Sequence, residues 1–200
     1  SVYDANNAPW ARGFDVQPSF LQHIPFAKSH HELLPILTPM AFEAFSFDEY
    51  DVVLSVTSAE AKSIITKPQT CHICYCLTPT RYLWSGYETY NKKSGLKGNI
   101  LKQVAPILRR WDRISAERPD YYLAISKHVA ERIKRYYKRE TVKVIYPPVE
   151  ISKGVALQQA QQGHPLKNYF LVVSRLVGYK RIDVLIDAFN ELGWPLVIIG

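Results

Sequence analysis

Apolar residues along this chain fall into short runs that alternate with amphipathic stretches. Asp51–Val56 (DVVLSV) is a near-continuous β-branched run after FSFDEY, the pattern of a strand buried on both faces of a parallel sheet. In Ser58–Ile65 (SAEAKSII), Ala59, Lys62 and Ile65 recur at helical spacing and Ser58 stands where an N-cap belongs, so a helix is expected there. Cys71–Leu77 (CHICYCL) predicts the next strand. Asn99–Arg118 predicts a long basic helix, disturbed near Pro106 because proline has no backbone hydrogen to donate. Tyr121–Ile125 reads as a strand, Ser126 as the cap of a helix over Lys127–Tyr137, and Val142–Tyr146 as a return to the sheet.

The pair Pro147-Pro148 suits neither helix nor central strand, and a boundary is expected there. Residues 1–149 then form a first domain, 150–167 (EISKGVALQQAQQGHPLK) a linker, and 168–200 the start of a second domain. The second domain opens with a strand at Tyr169–Ser174. The loop RLVGYK, a helix at Arg181–Leu192 closed by Gly193, and a strand at Pro195–Ile199 follow. Strand–helix–strand units in series define an α/β fold with parallel sheets and right-handed crossovers. One such unit cannot cover both faces of a sheet, and residues 1–45 are weakly periodic, so both domains are expected to be incomplete and the sequence to be an interior piece of a longer protein.

Composition narrows the class. With 47% hydrophobic and 12% aromatic residues, the 200-residue chain is not of the disordered type. No run approaches the roughly 18 uncharged apolar residues of a membrane span. Three cysteines bunched within six positions make no disulfide framework, and SVYDANNAPW is not a secretory signal, so a cytoplasmic address is expected. The net charge of +7 is uneven: Lys92–Arg139 holds fourteen basic residues against four acids, a local +10, and the remainder is −3. Such a field favours phosphates, nucleic acid or an acidic lipid surface.

Four stretches could carry chemistry. Ser174–Arg181 (SRLVGYKR) joins a strand's C-terminal end to a helix, the edge at which open α/β sheets bind ligands. Arg175 and Lys180 bracket it and could converge on a diphosphate, with Gly178 allowing close backbone approach; the same residues also suit a solvated loop. Thr78–Trp84 (TPTRYLW) leaves another strand with a hydroxyl, a guanidinium and two aromatics, fit to hold a sugar and an anion, or equally a loop pinned in the core by Tyr82 and Trp84 with Arg81 outside. Cys71-His72-x-Cys74-x-Cys76 has the look of a metal clip without a second ligand cluster. Strand alternation explains its spacing better, with small buried thiols, and no metal is expected. Lys127–Arg139 carries an apolar stripe of Val129, Ile133 and Tyr136 in a basic surround, either a solvated face or a membrane-surface or nucleic-acid patch.

Taken in order, FDEYDVVLSVTSAEAKSII, HICYCLTPTRYLW, DYYLAISKHVAERIKRYY, VIYPPV and YFLVVSRLVGYKRIDVLIDAFNELGWPLVIIG resemble the GT-B glycosyltransferases of the large group-1, family-four class, over about three-quarters of the chain. That resemblance implies two Rossmann-like domains facing across a cleft, with a nucleotide-diphosphate sugar on the C-terminal one and a glycosyl acceptor on the N-terminal one. It implies a retaining transferase that moves a hexose such as mannose to a carbohydrate or lipid-linked acceptor, as in polysaccharide biosynthesis. By the same resemblance Arg175 and Lys180 hold the donor diphosphate and neutralise the leaving group in place of a metal ion, so no cofactor is required. Thr78, Arg81 and Tyr82 lie on the sugar and acceptor side, and Ser126 faces the cleft from a strand-to-helix turn. No catalytic residue is assigned.

The chain also departs from that family. Leu77 stands where close relatives often carry a sugar-contacting histidine, and His72, on the opposite strand face, is no substitute. The family's glycine-rich N-terminal loop and paired glutamates are not in this sequence, so the stretch is expected to be inactive alone. The alternative reading, a basic nucleic-acid-binding α/β module without catalytic activity, rests on the +10 segment and its aromatics but on no recognised motif, and nucleic acid is not the expected partner. A nicotinamide-dependent enzyme would need a glycine fingerprint that SRLVGYK lacks. The basic helices leave peripheral contact with an anionic membrane face open.

Overall fold

Four short strands of the first unit pair strictly in chain order: β1 (Val52–Thr57), β2 (Cys71–Cys76), β3 (Tyr121–Ala124) and β4 (Val142–Val144), all parallel. The computed structural model describes every residue except 1, 5, 7, 26, 28–33, 35, 94–95 and 150–168. The stretch expected to be a linker, 150–167, lies outside the described residues. The chain divides into two units, Ser1–Pro147 and Pro148–Gly200.

Consecutive order has a geometric consequence. Right-handed crossovers that always step in one direction deliver every connection to the same face of the sheet. In the first unit that face is shared by Ser55 and Thr57 of β1, His72, Cys74 and Cys76 of β2, and Tyr122 and Ala124 of β3, all buried. Two helices cover it: the long helix Leu96–Glu117 and the helix Lys127–Tyr137, which contribute Ala116, Val129, Ala130, Ile133 and Tyr137 to one core cluster. Full burial of a side chain such as Ile133 removes enough apolar surface to stabilise by about 2 kcal/mol.

The expectation that β1 is buried on both faces is therefore corrected. Val52, Leu54 and Val56 are more than half exposed, and Tyr121 of β3 shares their face. The β-branched run read as doubly buried because sequence pattern does not carry strand order. A second correction concerns residues 58–65, which form one 3-10 turn, Glu60–Ser63, and no α-helix. Ser58 does not cap it. The Ala59 N–H donates instead to Thr57 Oγ1 (2.9 Å), and Lys62 turns inward with its ammonium on the Ala59 carbonyl (2.8 Å).

Among the described residues, the α-helices of this unit are α1 (Leu37–Glu43), α2 (Tyr87–Lys93), α3 (Leu96–Glu117) and α4 (Lys127–Tyr137). α3 runs through Pro106, the point at which the sequence predicts a disturbance. Pro106 and Lys102, the residue whose carbonyl loses its helical donor, are both exposed. α1 is tied to α3 through Glu43, which accepts from Trp111 Nε1 (2.8 Å) and pairs with Arg118 (2.7 Å). α4 begins where its sequence requires. The Ser126 hydroxyl accepts from the Val129 N–H (3.2 Å) with Ser126 itself extended, and Lys138 closes the other end in the left-handed region (φ 58°).

The second unit holds β5 (Phe170–Val173) and β6 (Leu196–Ile199), paired in parallel from Phe170↔Leu196 to Val173↔Ile199, with α5 (Ile182–Leu192) between them. Phe170 stacks on Trp194 (5.3 Å between centroids) and meets Phe189 edge-on (5.2 Å), so aromatic packing ties the start of β5 to the end of α5. Gly193 ends α5 at φ 65°, its N–H returned to the Phe189 carbonyl (3.0 Å), a conformation that favours glycine.

Candidate functional site

At the C-terminal rim of the first unit's sheet, the exits of β2 and β3 lie side by side: Cys76 pairs with Ala124, and the Ile125 N–H donates to the Cys76 carbonyl (3.4 Å). The loop after β2 carries Thr78, Arg81 and Tyr82, and the turn after β3 carries Ser126, so the structure brings these four sequence-predicted residues to one rim. Thr78 is half-buried and receives a long hydrogen bond from the Arg132 guanidinium of α4 (3.5 Å). Arg81 is half-buried. Tyr82 donates its hydroxyl to Glu60 Oε1 (2.5 Å), and burial together with the Glu60 charge pushes its pKa well above the ordinary phenol value. Ser126 is half-buried and engaged as the α4 cap.

The loop is pinned from beneath. Thr80 is fully buried, donating its N–H to Tyr137 OH (3.2 Å) and its hydroxyl to Asp112 Oδ1 (2.7 Å). Trp84 donates its indole N–H to Asp112 Oδ2 (2.6 Å). Its ring stacks on Tyr136 (5.2 Å, 22°), with the Arg113 and Arg109 guanidiniums 5.0 and 5.6 Å from its centroid. Trp84 is therefore committed to packing. Asp112 also pairs with Lys62 (2.5 Å), both side chains being almost fully buried.

Sequence reasoning passed over Lys62, Glu60, Asp112 and Arg132. One signal was present. Asp112 is the acid at a helical spacing from the apolar Leu108 and Ala116 in an otherwise basic stretch, which places a carboxylate on the inward face and demands a cationic partner. The partner, fifty residues earlier, had no local mark.

In the second unit, Ser174 closes β5 by donating to the Ile199 carbonyl (2.8 Å), and the loop then carries Arg175, exposed, into the 3-10 turn Gly178–Lys180. Lys180, also exposed, ends that turn with its ammonium 5.8 Å from the Tyr179 ring centroid. Arg181 takes the left-handed conformation (φ 50°) ahead of α5 and pairs with Asp183 (3.1 Å), whose exposed carboxyl the guanidinium holds below the ordinary range. Arg175 and Lys180 thus share one strand-exit loop, in a different unit from Thr78, Arg81, Tyr82 and Ser126.

Alternation along β2 aims His72, Cys74 and Cys76 at the buried face and Cys71 at the other, and all three cysteines are free thiols. A hydrogen bond with Cys74, together with burial, pushes the Cys76 thiol up. Among the described residues no group of three or more His, Cys, Asp or Glu could hold a metal ion, and no helix is long and apolar enough to cross a membrane. A groove of about 530 Å³ runs along the open edge of β1, lined chiefly by Phe42, Phe45, Phe47, Tyr50, Val52 and Leu54. Its walls also include Asp15, Gln17, Ser46 and Ser55, and none of the rim residues.

A scan of protein-family models returned no match to this chain, and a comparison with curated proteins returned none.

Proposed function

We propose that the chain is part of a retaining glycosyltransferase of the GT-B type, in which each unit belongs to a Rossmann-like domain. It transfers a hexose such as mannose from a nucleotide-diphosphate sugar to a carbohydrate or lipid-linked acceptor at the cytoplasmic side. The observation that carries this reading is one of position. Thr78, Arg81, Tyr82, Ser126 and Arg175 follow the C-terminal ends of parallel strands and Lys180 lies in the same strand-exit loop as Arg175, the edge at which open α/β sheets bind ligands.

In this reading Arg175 offers the donor's diphosphate a planar pair of N–H groups and Lys180 a point charge. Together they offset the negative charge that builds on the leaving group as the glycosidic bond breaks, the work of a metal ion in other transferases. On the first unit, Arg81 is the chief contact of the sugar and acceptor side, with Tyr82 as a fixed wall and Thr78 and Ser126 offering oxygens at the rim. Leu77 offers no hydrogen bond there.

Calorimetric titration of the intact protein with GDP and UDP tests the assignment. One of the two is expected to bind. Arg175→Ala and Lys180→Ala should each weaken it by roughly 10- to 100-fold, the loss of about 1.5–3 kcal/mol for a hydrogen bond to a charged group. Binding of neither nucleotide, or unchanged affinity in both variants, overturns the proposal.

A further inference from the structure

We propose that Asp112, paired with Lys62, is a positioning residue for the loop after β2: it fixes where Arg81 stands without itself meeting substrate. This rests on the reading of that loop as the sugar and acceptor side of a transferase.

The carboxylate gathers three donors from three places. Lys62 Nζ (2.5 Å) and Thr80 Oγ1 (2.7 Å) share Oδ1, and Trp84 Nε1 (2.6 Å) takes Oδ2. The Lys62 ammonium is filled in turn by Asp112, the Ala59 carbonyl (2.8 Å) and Thr80 Oγ1 (3.4 Å). Lys62 is 1% exposed and Asp112 6%. With its valences met inside the protein, the pair has nothing to offer a ligand. What it joins is the exit of β1 (Ala59), helix α3 (Asp112) and both flanks of Arg81 (Thr80 and Trp84).

Between those flanks the backbone is closed on itself. The Leu83 and Trp84 N–H groups both donate to the Thr80 carbonyl (3.1 Å each), and the Gly86 N–H donates to the Arg81 carbonyl (2.8 Å). Arg81 thus lies between two residues that one carboxylate holds, and the Tyr137 hydroxyl on Thr80, the Tyr136 ring on Trp84 and the Arg109 guanidinium on the Leu83 carbonyl (2.7 Å) brace the same loop. Stability alone does not call for ions here, since buried pairs are often matched by apolar residues of similar volume. Directionality does. Three donors fixed at set angles hold a loop in one conformation, whereas an apolar pair fills the space and leaves the loop free to shift. Asparagine at 112 would turn a donor NH2 toward Lys62 and Thr80 or toward the Trp84 indole and break the set.

Two variants of the intact protein test this: Asp112→Asn, and the volume-matched Lys62→Met/Asp112→Leu, which keeps the test open if the first misfolds by circular dichroism. Amide hydrogen exchange at Leu83, Trp84 and Gly86 should quicken at least tenfold while β2 and β3 keep their protection. In a sugar-transfer assay the acceptor KM should rise and kcat fall, together lowering kcat/KM more than tenfold, with nucleoside diphosphate affinity unchanged within twofold. Unaltered exchange overturns the proposal, and so does faster exchange with unaltered transfer kinetics. Failure of the wild-type protein to bind GDP or UDP is a separate result that overturns the transferase reading, and the positioning role with it.

Discussion

His72 is a base held where a proton is hard to accept, and the pH dependence of folding should report it. The ring is fully buried on the covered face of β2, with Nε2 2.9 Å from Ser55 Oγ and Nδ1 without a hydrogen-bond partner. Burial lowers its pKa from 6.5 to about 4, against the attraction of Asp120 and with the help of Arg118. The unfolded chain therefore takes up a proton near pH 6.5 that the folded chain refuses until about pH 4. Stability from the neutral ring is fully present above pH 6.5, drains away as the pH falls through that window, and is gone below it. At about 1.4 kcal/mol per pH unit the window is worth roughly 3 kcal/mol, a large part of the 5–15 typical of a domain. Urea unfolding of the wild type and His72→Gln from pH 7.5 to pH 4 isolates the effect, because the other titrating groups are common to both. The wild type should lose about 3 kcal/mol more than the variant, most steeply near pH 5. Parallel stability curves would refute the assignment of a neutral, proton-refusing His72.

Two further predictions concern helix ends. Ser126→Ala removes the acceptor of the Val129 N–H and should cost about 1 kcal/mol, lowering Tm by roughly 2–4 °C in thermal unfolding, with Ser126→Asp restoring most of it. Gly193→Ala meets open space, with nothing within 4 Å of the added Cβ, but must hold φ at +65°. It should therefore destabilise the second unit by about 1 kcal/mol for conformational reasons alone, and Gly193→Asn by less, as read from that unit's unfolding transition.

Local signals in the sequence reached as far as local structure goes. Ser126 announces α4 because the cap and the helix it starts are neighbours in the chain, and Gly193 announces the end of α5 for the same reason. The strands at β2 and β3 are legible because alternation and aromatic or apolar content belong to each strand by itself. Burial of β1 on one face only was not legible, since it follows from strand order and the side on which connections fall. The turn at 60–63 read as a helix because Lys62 has helical spacing, yet its place is set by Asp112, fifty residues away and on another element. At the rim, Thr78, Arg81, Tyr82 and Ser126 could be found as strand-exit residues, but the carboxylate that anchors their loop could not be paired from sequence alone.

The in-order pairing of β1 to β4 gives the rim the form of a comb. Its teeth are the strand exits at residues 58, 77, 125 and 145, set at a pitch of about 4.8 Å. Each tooth hangs from its own strand, and the helices that brace the comb lie on one side of it. A substitution at the second tooth, Leu77, changes what that slot presents while the spacing of the other three stays as it was. The chemistry of such a rim can change slot by slot, at little risk to the packing that holds the row straight.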